Sequence, residues 1–118
     1  MPTPGTVFQL RLDGGNHFWV VISAPRNGKI LTVNVTDLRN APDSPCRINC
    51  GDHPEITKPS VIFYRKSREF DAGMVDAQIA DGRAVRKLAD CSPELLQRII
   101  DGAKAADDFT IRLLDYLR

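Results

Sequence analysis

Three strand-like segments separated by turn residues constrain the fold of this chain more than any other feature. Thr6–Leu12 places successive side chains on two faces, as a half-buried strand does. Asp13–Asn16 contains residues that tolerate positive φ, so a tight turn is expected to lead into a second strand at Phe18–Ser23. Pro25–Gly28 predicts another turn, and the β-branched and polar residues of Lys29–Thr36 alternate as in a third strand. The first third of the chain therefore predicts an antiparallel meander.

A long polar loop interrupts this strand pattern before it resumes. The loop spans Asp37–Pro59, and it contains one short strand-like segment near Cys46–Ile48. Ser60–Tyr64 then predicts a fourth strand, which Arg65–Phe70 extends beyond a bend. Loops of this length usually have a function, so the loop and the strand that follows it are the first place to look for a site.

The remaining part of the chain predicts helices. A short helix fits within Phe70–Ile79 and a last short strand within Arg83–Leu88. Ser92-Pro93-Glu94 is typical of a helix start, because serine caps it and glutamate meets the positive end of the dipole. Apolar residues recur at helical spacing over 95–103 and again over 109–117. Strands followed by helices predict an α+β fold, a small antiparallel sheet or barrel with amphipathic helices against it, and 118 residues suit one domain spanning 1–118.

Composition narrows the functional classes. The formal net charge is only +1, so nucleic acid or an anionic membrane would have to be bound by a local basic patch. No segment approaches the ~18 apolar residues of a membrane span, and the N-terminus lacks an export signal, so we expect a cytoplasmic protein that does not contact membranes. Three cysteines without an export signal indicate reduced thiols more than disulfides.

The segment from Cys50 to Tyr64 contains the densest set of reactive side chains. Cleavage of RNA by its 2′-hydroxyl needs an acid and base near neutral pH and a cation for the charged phosphorane. His53 is the candidate acid or base, and Lys58 and Arg65 are candidate phosphate ligands. His17, which follows the first predicted turn, is a second imidazole that could take part.

Each of these residues also has a purely structural interpretation. A histidine before a proline often packs a loop, and the hydroxyls of Ser60 and Tyr64, which share one strand face, commonly bond to neighbouring backbone. The basic run Arg65–Arg68 is either a solvated surface or a track for phosphates.

A zinc site is a further, less favoured interpretation of the cysteines and histidines. The spacing of Cys46, Cys50 and His53 approximates that of metal ligands, and Asp52, His17 or Cys91 could complete a set of four. Structural zinc sites usually show two paired clusters, whereas this sequence has one imperfect cluster. We therefore expect neither a metal nor another cofactor.

The succession of strands resembles the PemK/MazF toxin family of type II toxin–antitoxin systems. The resemblance is carried in order and spacing by Pro4–Leu10, Phe18–Ser23, Leu31–Thr36 and Pro59–Tyr64. It implies an SH3-like barrel of about five to six strands, cleavage of single-stranded RNA such as mRNA without a metal, a homodimer, and inhibition by a cognate antitoxin protein.

The resemblance also implies roles for particular residues. Thr36 matches the Ser/Thr that the family places at the end of the third strand, whereas the family's arginine before the second strand is replaced by Asn16-His17. We therefore predict catalytic roles for Thr36, His53, Lys58 and Ser60, and RNA-binding roles for Asn16, His17, Arg26, Tyr64 and Arg65. Two alternatives remain open at this point, a non-catalytic SH3-like binding module and a CcdB-like toxin that acts on a protein such as DNA gyrase.

Overall fold

The secondary structure of the chain follows its sequence patterns closely. A computed structural model describes residues 2–11, 17–107 and 109–118. Its elements are β1 Val7–Leu10, β2 His17–Val21, β3 Lys29–Asp37, β4 Arg47–Ile48, β5 Ser60–Asp71, α1 Ala72–Asp81, β6 Val85–Lys87, α2 Pro93–Ala105 and α3 Ile111–Leu114, with 3₁₀ turns at Leu38–Asn40 and Asp115–Leu117. The predicted α+β class, with helices at the C-terminal end, is confirmed.

The strands form one antiparallel sheet in the order β4-β5-β3-β2-β1-β6. In the described residues the two edge strands, β4 and β6, do not pair with each other, so of the two predicted forms, a small antiparallel sheet or a barrel, the structure has the open sheet. These edge strands have only two and three residues, which leaves little backbone for a closing ladder.

The turns agree with the prediction where they are described. Arg26 and Lys29 are bridged, and Asn27 and Gly28 between them have φ values of 53° and 77°, the left-handed conformation of a tight hairpin turn. Strands β1 and β2 pair as the predicted first hairpin, with Leu10 opposite His17. Its predicted turn at 13–16 lies outside the described residues.

Both faces of the sheet are covered by apolar side chains. One cluster packs under α2 and α3 and includes Val20 and Ile99, and the other packs under α1 and includes Val21 and Val75. Neighbouring residues of one strand reach both clusters because side chains alternate across a strand. The central strands are thus buried on two sides, and their ends are left to form a site.

The long loop after β3 is attached to helix α2. The Arg98 guanidinium contacts Asp52 Oδ2 at 3.2 Å and donates to the backbone oxygen of Arg47 at 2.5 Å. Ser92 caps the helix as predicted, since its Oγ accepts from the Leu95 N–H at 3.1 Å. A well-defined helix therefore fixes the loop beside the ends of β2 and β3.

Candidate active site

A polar groove lies where β2 begins and β3 ends, and the segment before β5 forms its other wall. Its volume is about 350 Å³. Four of the residues predicted from the sequence meet there, namely His17, Thr36, Lys58 and Ser60. The pairing of Phe18 with Val35 brings the exposed His17 beside Thr36, because the next step along this antiparallel ladder joins those two positions.

Asp37 is the centre of a cluster of charged side chains at the groove. Its carboxylate accepts from the Arg39 N–H at 2.9 Å and the Arg39 Nε at 3.1 Å, and it pairs with Lys58 Nζ at 3.2 Å. The Arg39 backbone N–H, the Arg39 guanidinium and Lys58 together hold the pKa of Asp37 well below its usual range. Asp37 is therefore an anion that positions Lys58, whose side chain remains 65% exposed.

Two of the hydroxyls that line the groove, those of Thr36 and Ser60, make different hydrogen bonds. Thr36 Oγ1 accepts a hydrogen bond from Asn40 Nδ2 at 2.8 Å, which leaves its own proton available to a ligand. Ser60 is buried, and its Oγ donates to the Lys58 carbonyl at 3.0 Å. Thr36 can thus contact a substrate, whereas Ser60 positions the backbone of Lys58.

A second carboxylate faces the groove and is held from the opposite edge of the sheet. Glu55 lines the groove, and its Oε1 lies 3.7 Å from Arg86 Nη2. Arg86 in turn donates through Nε to the buried Gln9 at 3.0 Å. Since both Glu55 and Arg86 are partly exposed, this arrangement orients the carboxylate without removing it from water.

His53 does not join this group. Its ring is buried, with one nitrogen 2.6 Å from the Ala89 carbonyl and the other accepting from the Glu55 N–H at 3.1 Å. Both bonds are satisfied by the neutral imidazole that carries its proton on Nε2. No ring nitrogen is left for a substrate, so the structure gives His53 a loop-packing role in place of the predicted catalytic one.

Tyr64 is likewise part of the core. Its hydroxyl donates to the Ile99 carbonyl at 2.6 Å, and its ring packs edge-on against Phe109. Burial raises the pKa of Tyr64, so it stays protonated. The predicted RNA-binding role does not fit a side chain that is only 3% exposed beneath α2.

Apart from His17, which lines the groove, the remaining predicted RNA ligands lie away from it or outside the described residues. Arg26 donates to the Asp115 carbonyl at a different cleft of the molecule. Arg65 is exposed on β5 and does not line the groove. Asn16 falls outside the described residues.

The described residues give the zinc alternative no support. They contain no group of three His, Cys, Asp or Glu side chains that could hold a metal ion. Cys46 is buried, Cys50 is exposed, and the His53 nitrogens are bonded elsewhere.

Sequence reasoning missed Asp37, Asn40, Glu55 and Arg86. Asp37 had a readable signal, because an aspartate at the end of a strand commonly caps the following turn, as it does here. The pairing of Glu55 with Arg86 had no such signal, since it joins the loop to the far edge strand.

Within the described part of the chain, no helix is long and apolar enough to cross a membrane. Neither a protein-family model nor a curated protein sequence matches the chain.

Solved structures do match its fold. An endoribonuclease in complex with its cognate antitoxin, from a mycobacterial species, superposes with a TM-score of 0.56 at 14% identity, over 88% of this chain and 90% of that one. A MazE–MazF complex from Deinococcus radiodurans gives a TM-score of 0.56 at 16% identity, over 98% of this chain and 94% of that one. The chain therefore has the MazF-type fold that its succession of strands resembles.

Proposed function

We propose that this protein is the toxin of a toxin–antitoxin pair, a cytoplasmic endoribonuclease that cuts single-stranded RNA. The observation that carries the proposal is the fold likeness to an endoribonuclease over 88% of the chain. The groove supports it, because it combines a free hydroxyl, an ammonium and an imidazole at Thr36, Lys58 and His17.

The proposed reaction is attack of the 2′-hydroxyl on the adjacent phosphorus. The bond from the 2′-oxygen to phosphorus forms while the bond from phosphorus to the 5′-oxygen breaks, which leaves a 2′,3′-cyclic phosphate and a 5′-hydroxyl. One proton leaves the 2′-hydroxyl, and another reaches the departing 5′-oxygen. The chain must therefore supply a proton acceptor, a proton donor and a positive charge for the phosphorane.

Lys58 and Thr36 meet the charged phosphate in this scheme. Lys58 carries the only ammonium that lines the described groove, and its pairing with Asp37 leaves N–H bonds free for phosphate oxygens. Thr36 adds a hydroxyl donor next to it. Asp37, Asn40 and Ser60 act as positioning residues through these two side chains.

Two groups of the groove can exchange the protons. An imidazole does so near neutral pH, which suits the exposed His17, and a carboxylate can accept the proton of a 2′-hydroxyl, which suits Glu55. Arg86, with Nη2 3.7 Å from Oε1, restrains the Glu55 carboxylate beside the groove that Glu55 lines. His17 and Glu55 thus perform, in this proposal, the proton transfers for which the sequence suggested His53.

The test is cleavage of a short single-stranded RNA by purified protein in the presence of a chelator. We expect cleavage with a 2′,3′-cyclic phosphate product, and no cleavage of an oligonucleotide that lacks 2′-hydroxyls. Lys58→Ala should lower the rate by at least about tenfold, and Lys58→Arg should retain more activity because a cation remains.

Expression in cells provides the second arm. The wild type should arrest growth, and Lys58→Ala should not. If wild type and Lys58→Ala are equally inert on RNA and equally harmless in cells, the enzymatic proposal fails. A non-catalytic module or a toxin that acts on a protein such as gyrase would leave the RNA intact in this assay.

The proposal includes a protein partner and self-association. The mycobacterial endoribonuclease is in complex with its cognate antitoxin, and the Deinococcus structure contains MazE with MazF. By analogy, we propose an antitoxin partner and a homodimer for this chain. Light scattering of the purified protein, with and without a co-expressed candidate antitoxin, measures both assemblies directly.

A further inference from the structure

Strand β5 carries exposed basic residues on the sheet face to which Thr36 belongs. Thr36, Asn34 and Thr32 alternate along one face of β3, and the register places Phe63 opposite Asn34 and Arg68 opposite Thr32. From Thr36 to Thr32 this face extends about 13 Å, at ~3.3 Å per residue. Asn34 and Thr32 are themselves buried, and the register shifts between them, so a nucleic acid strand that leaves the groove at Thr36 would run over the exposed side chains of β5.

Aromatic rings fix the basic groups on this face. Lys66 Nζ lies 5.6 Å from the centroid of the Phe63 ring. Arg68 Cζ lies 5.9 Å from the Trp19 ring and 5.8 Å from the Phe70 ring. These are distances of cation–π contact, and we call Phe63, Lys66 and Arg68 the basic–aromatic strip.

The charge of the strip is not neutralised within the described residues. Arg65, Lys66 and Arg68 are exposed, and none of them pairs with a described carboxylate. By contrast, Arg83 and Lys87 elsewhere on the surface pair with Asp81 and Asp90. A chain with a formal charge of only +1 thus concentrates unpaired positive charge on β5.

We propose that the basic–aromatic strip binds the nucleotides of single-stranded RNA that flank the cleaved bond. Lys66 and Arg68 contact phosphates, and one base stacks on the Phe63 ring face that the Lys66 ammonium covers in the free protein. This combination of cations along a backbone path with an aromatic platform is the usual way of binding single strands without sequence preference. The inference rests on the proposed endoribonuclease function and adds a substrate-length dependence to it.

The experiment compares binding of a long and a short 2′-O-methyl RNA, of about twelve and about four nucleotides, which cannot be cleaved. The double variant Lys66→Ala/Arg68→Ala should bind the long RNA at least about tenfold more weakly and the short RNA almost unchanged. Two lost phosphate contacts should also reduce the slope of log affinity against log salt by about 1.4. Phe63→Leu should weaken binding of the long RNA by about fivefold or more and leave the slope of log affinity against log salt unchanged.

A matched control separates the strip from overall charge. Arg83→Ala/Lys87→Ala removes the same number of charges from cations that are already paired and lie away from β5, Arg83 between α1 and β6 and Lys87 on β6. It should bind both RNAs like the wild type. Circular dichroism of every variant checks that the loss is not one of folding.

Several results would overturn the inference. Equal binding of the long RNA by the strip variant and the matched control would make the strip an ordinary solvated surface. An acidic peptide that binds through Lys66 and Arg68 without any dependence on Phe63 would assign it to a protein partner instead. If the wild type cleaves RNA but the strip variants bind the long RNA as tightly as the wild type, only this inference fails. If the wild type neither binds nor cleaves RNA, both proposals fail.

Discussion

At the scale of single residues, the two histidines differ in accessibility, and the exposed one, His17, is the one that lines the groove. His53 has the more reactive neighbourhood in the sequence but is buried, and both of its nitrogens are bonded to backbone. His17 is exposed at the mouth of the groove beside Thr36. Burial and hydrogen-bond occupancy decide between them, and neither property can be read from spacing along the chain.

This difference predicts opposite phenotypes for the two alanine variants. His53→Ala leaves the Ala89 carbonyl and the Glu55 N–H without their partner, so it should lower the free energy of unfolding by about 1–3 kcal/mol. His17→Ala should change stability by less than about 0.5 kcal/mol and reduce RNA cleavage. Urea unfolding measures the change in stability. A cleavage assay without urea, at a temperature at which each variant is folded, measures the change in activity. A stable but inactive His53→Ala would restore the catalytic role for His53.

The thiols give a residue-scale prediction with a defined pH dependence. Burial, with the nearby Asp90, raises the pKa of Cys91 from 9.0 to about 11, and burial also raises the pKa of Cys46. Only the thiolate is alkylated, so at about pH 8 iodoacetamide should label the exposed Cys50 first. Labelling of Cys91 should keep accelerating as the pH rises toward 11.

Peptide mass spectrometry of samples quenched at intervals assigns each label. Protein unfolded in urea is the control, since its three thiols should react alike. A labelling rate for Cys91 that stops rising near pH 9 would contradict the raised pKa.

At the scale of elements, the close approach of α2 to β5 depends on a glycine. A Cβ placed on Gly102 would overlap the Tyr64 hydroxyl, and it would lie 3.0 Å from Cys46 Cβ. Alanine normally stabilises a helix relative to glycine by up to about 1 kcal/mol. Here the packing cost of about 1–3 kcal/mol should exceed that gain, so Gly102→Ala should destabilise the protein.

A double-mutant cycle tests this cause. Tyr64→Phe removes the overlapping hydroxyl, so the cost of Gly102→Ala in that background should be smaller than in the wild type. Gly73 in α1 is the matched control, because the nearest atom to its added Cβ is Asp71 Oδ1 at 3.4 Å. Gly73→Ala should be neutral or slightly stabilising by thermal unfolding. Additive effects of Gly102→Ala and Tyr64→Phe would reject the overlap.

The elements themselves could be predicted from the sequence because their signals are local. Alternation located β1 and β3, a continuous apolar run between turn residues located β2, and the Ser92-Pro93-Glu94 start located α2 within a residue. The site could be predicted only in part. Thr36 and Lys58 lie at the ends of readable segments, but the partner of Tyr64 is 35 residues away, and one of the two partners of His53 is 36 residues away. Contacts between such distant residues depend on packing, which periodicity does not report.

At the scale of the whole molecule, the two apolar clusters share the same strands. Val20 belongs to the cluster under α2 and α3, while its neighbour Val21 belongs to the cluster under α1. Neither cluster can therefore come apart without exposing strands that the other needs. This arrangement predicts one cooperative unfolding transition for the chain, as expected for a single domain of this length.

Two probes that weight the two sides of the sheet differently test this prediction. The fluorescence of the single tryptophan, Trp19, reports the cluster under α1, whereas far-ultraviolet circular dichroism reports all the helices, α2 included. The two urea transitions should coincide. Ile99→Ala, in the cluster under α2, should destabilise by about 2–5 kcal/mol and shift the Trp19 signal by the same amount as the dichroism, because loss of one side removes the other. A fluorescence midpoint that stays in place while the dichroism midpoint moves would show that the two sides unfold separately.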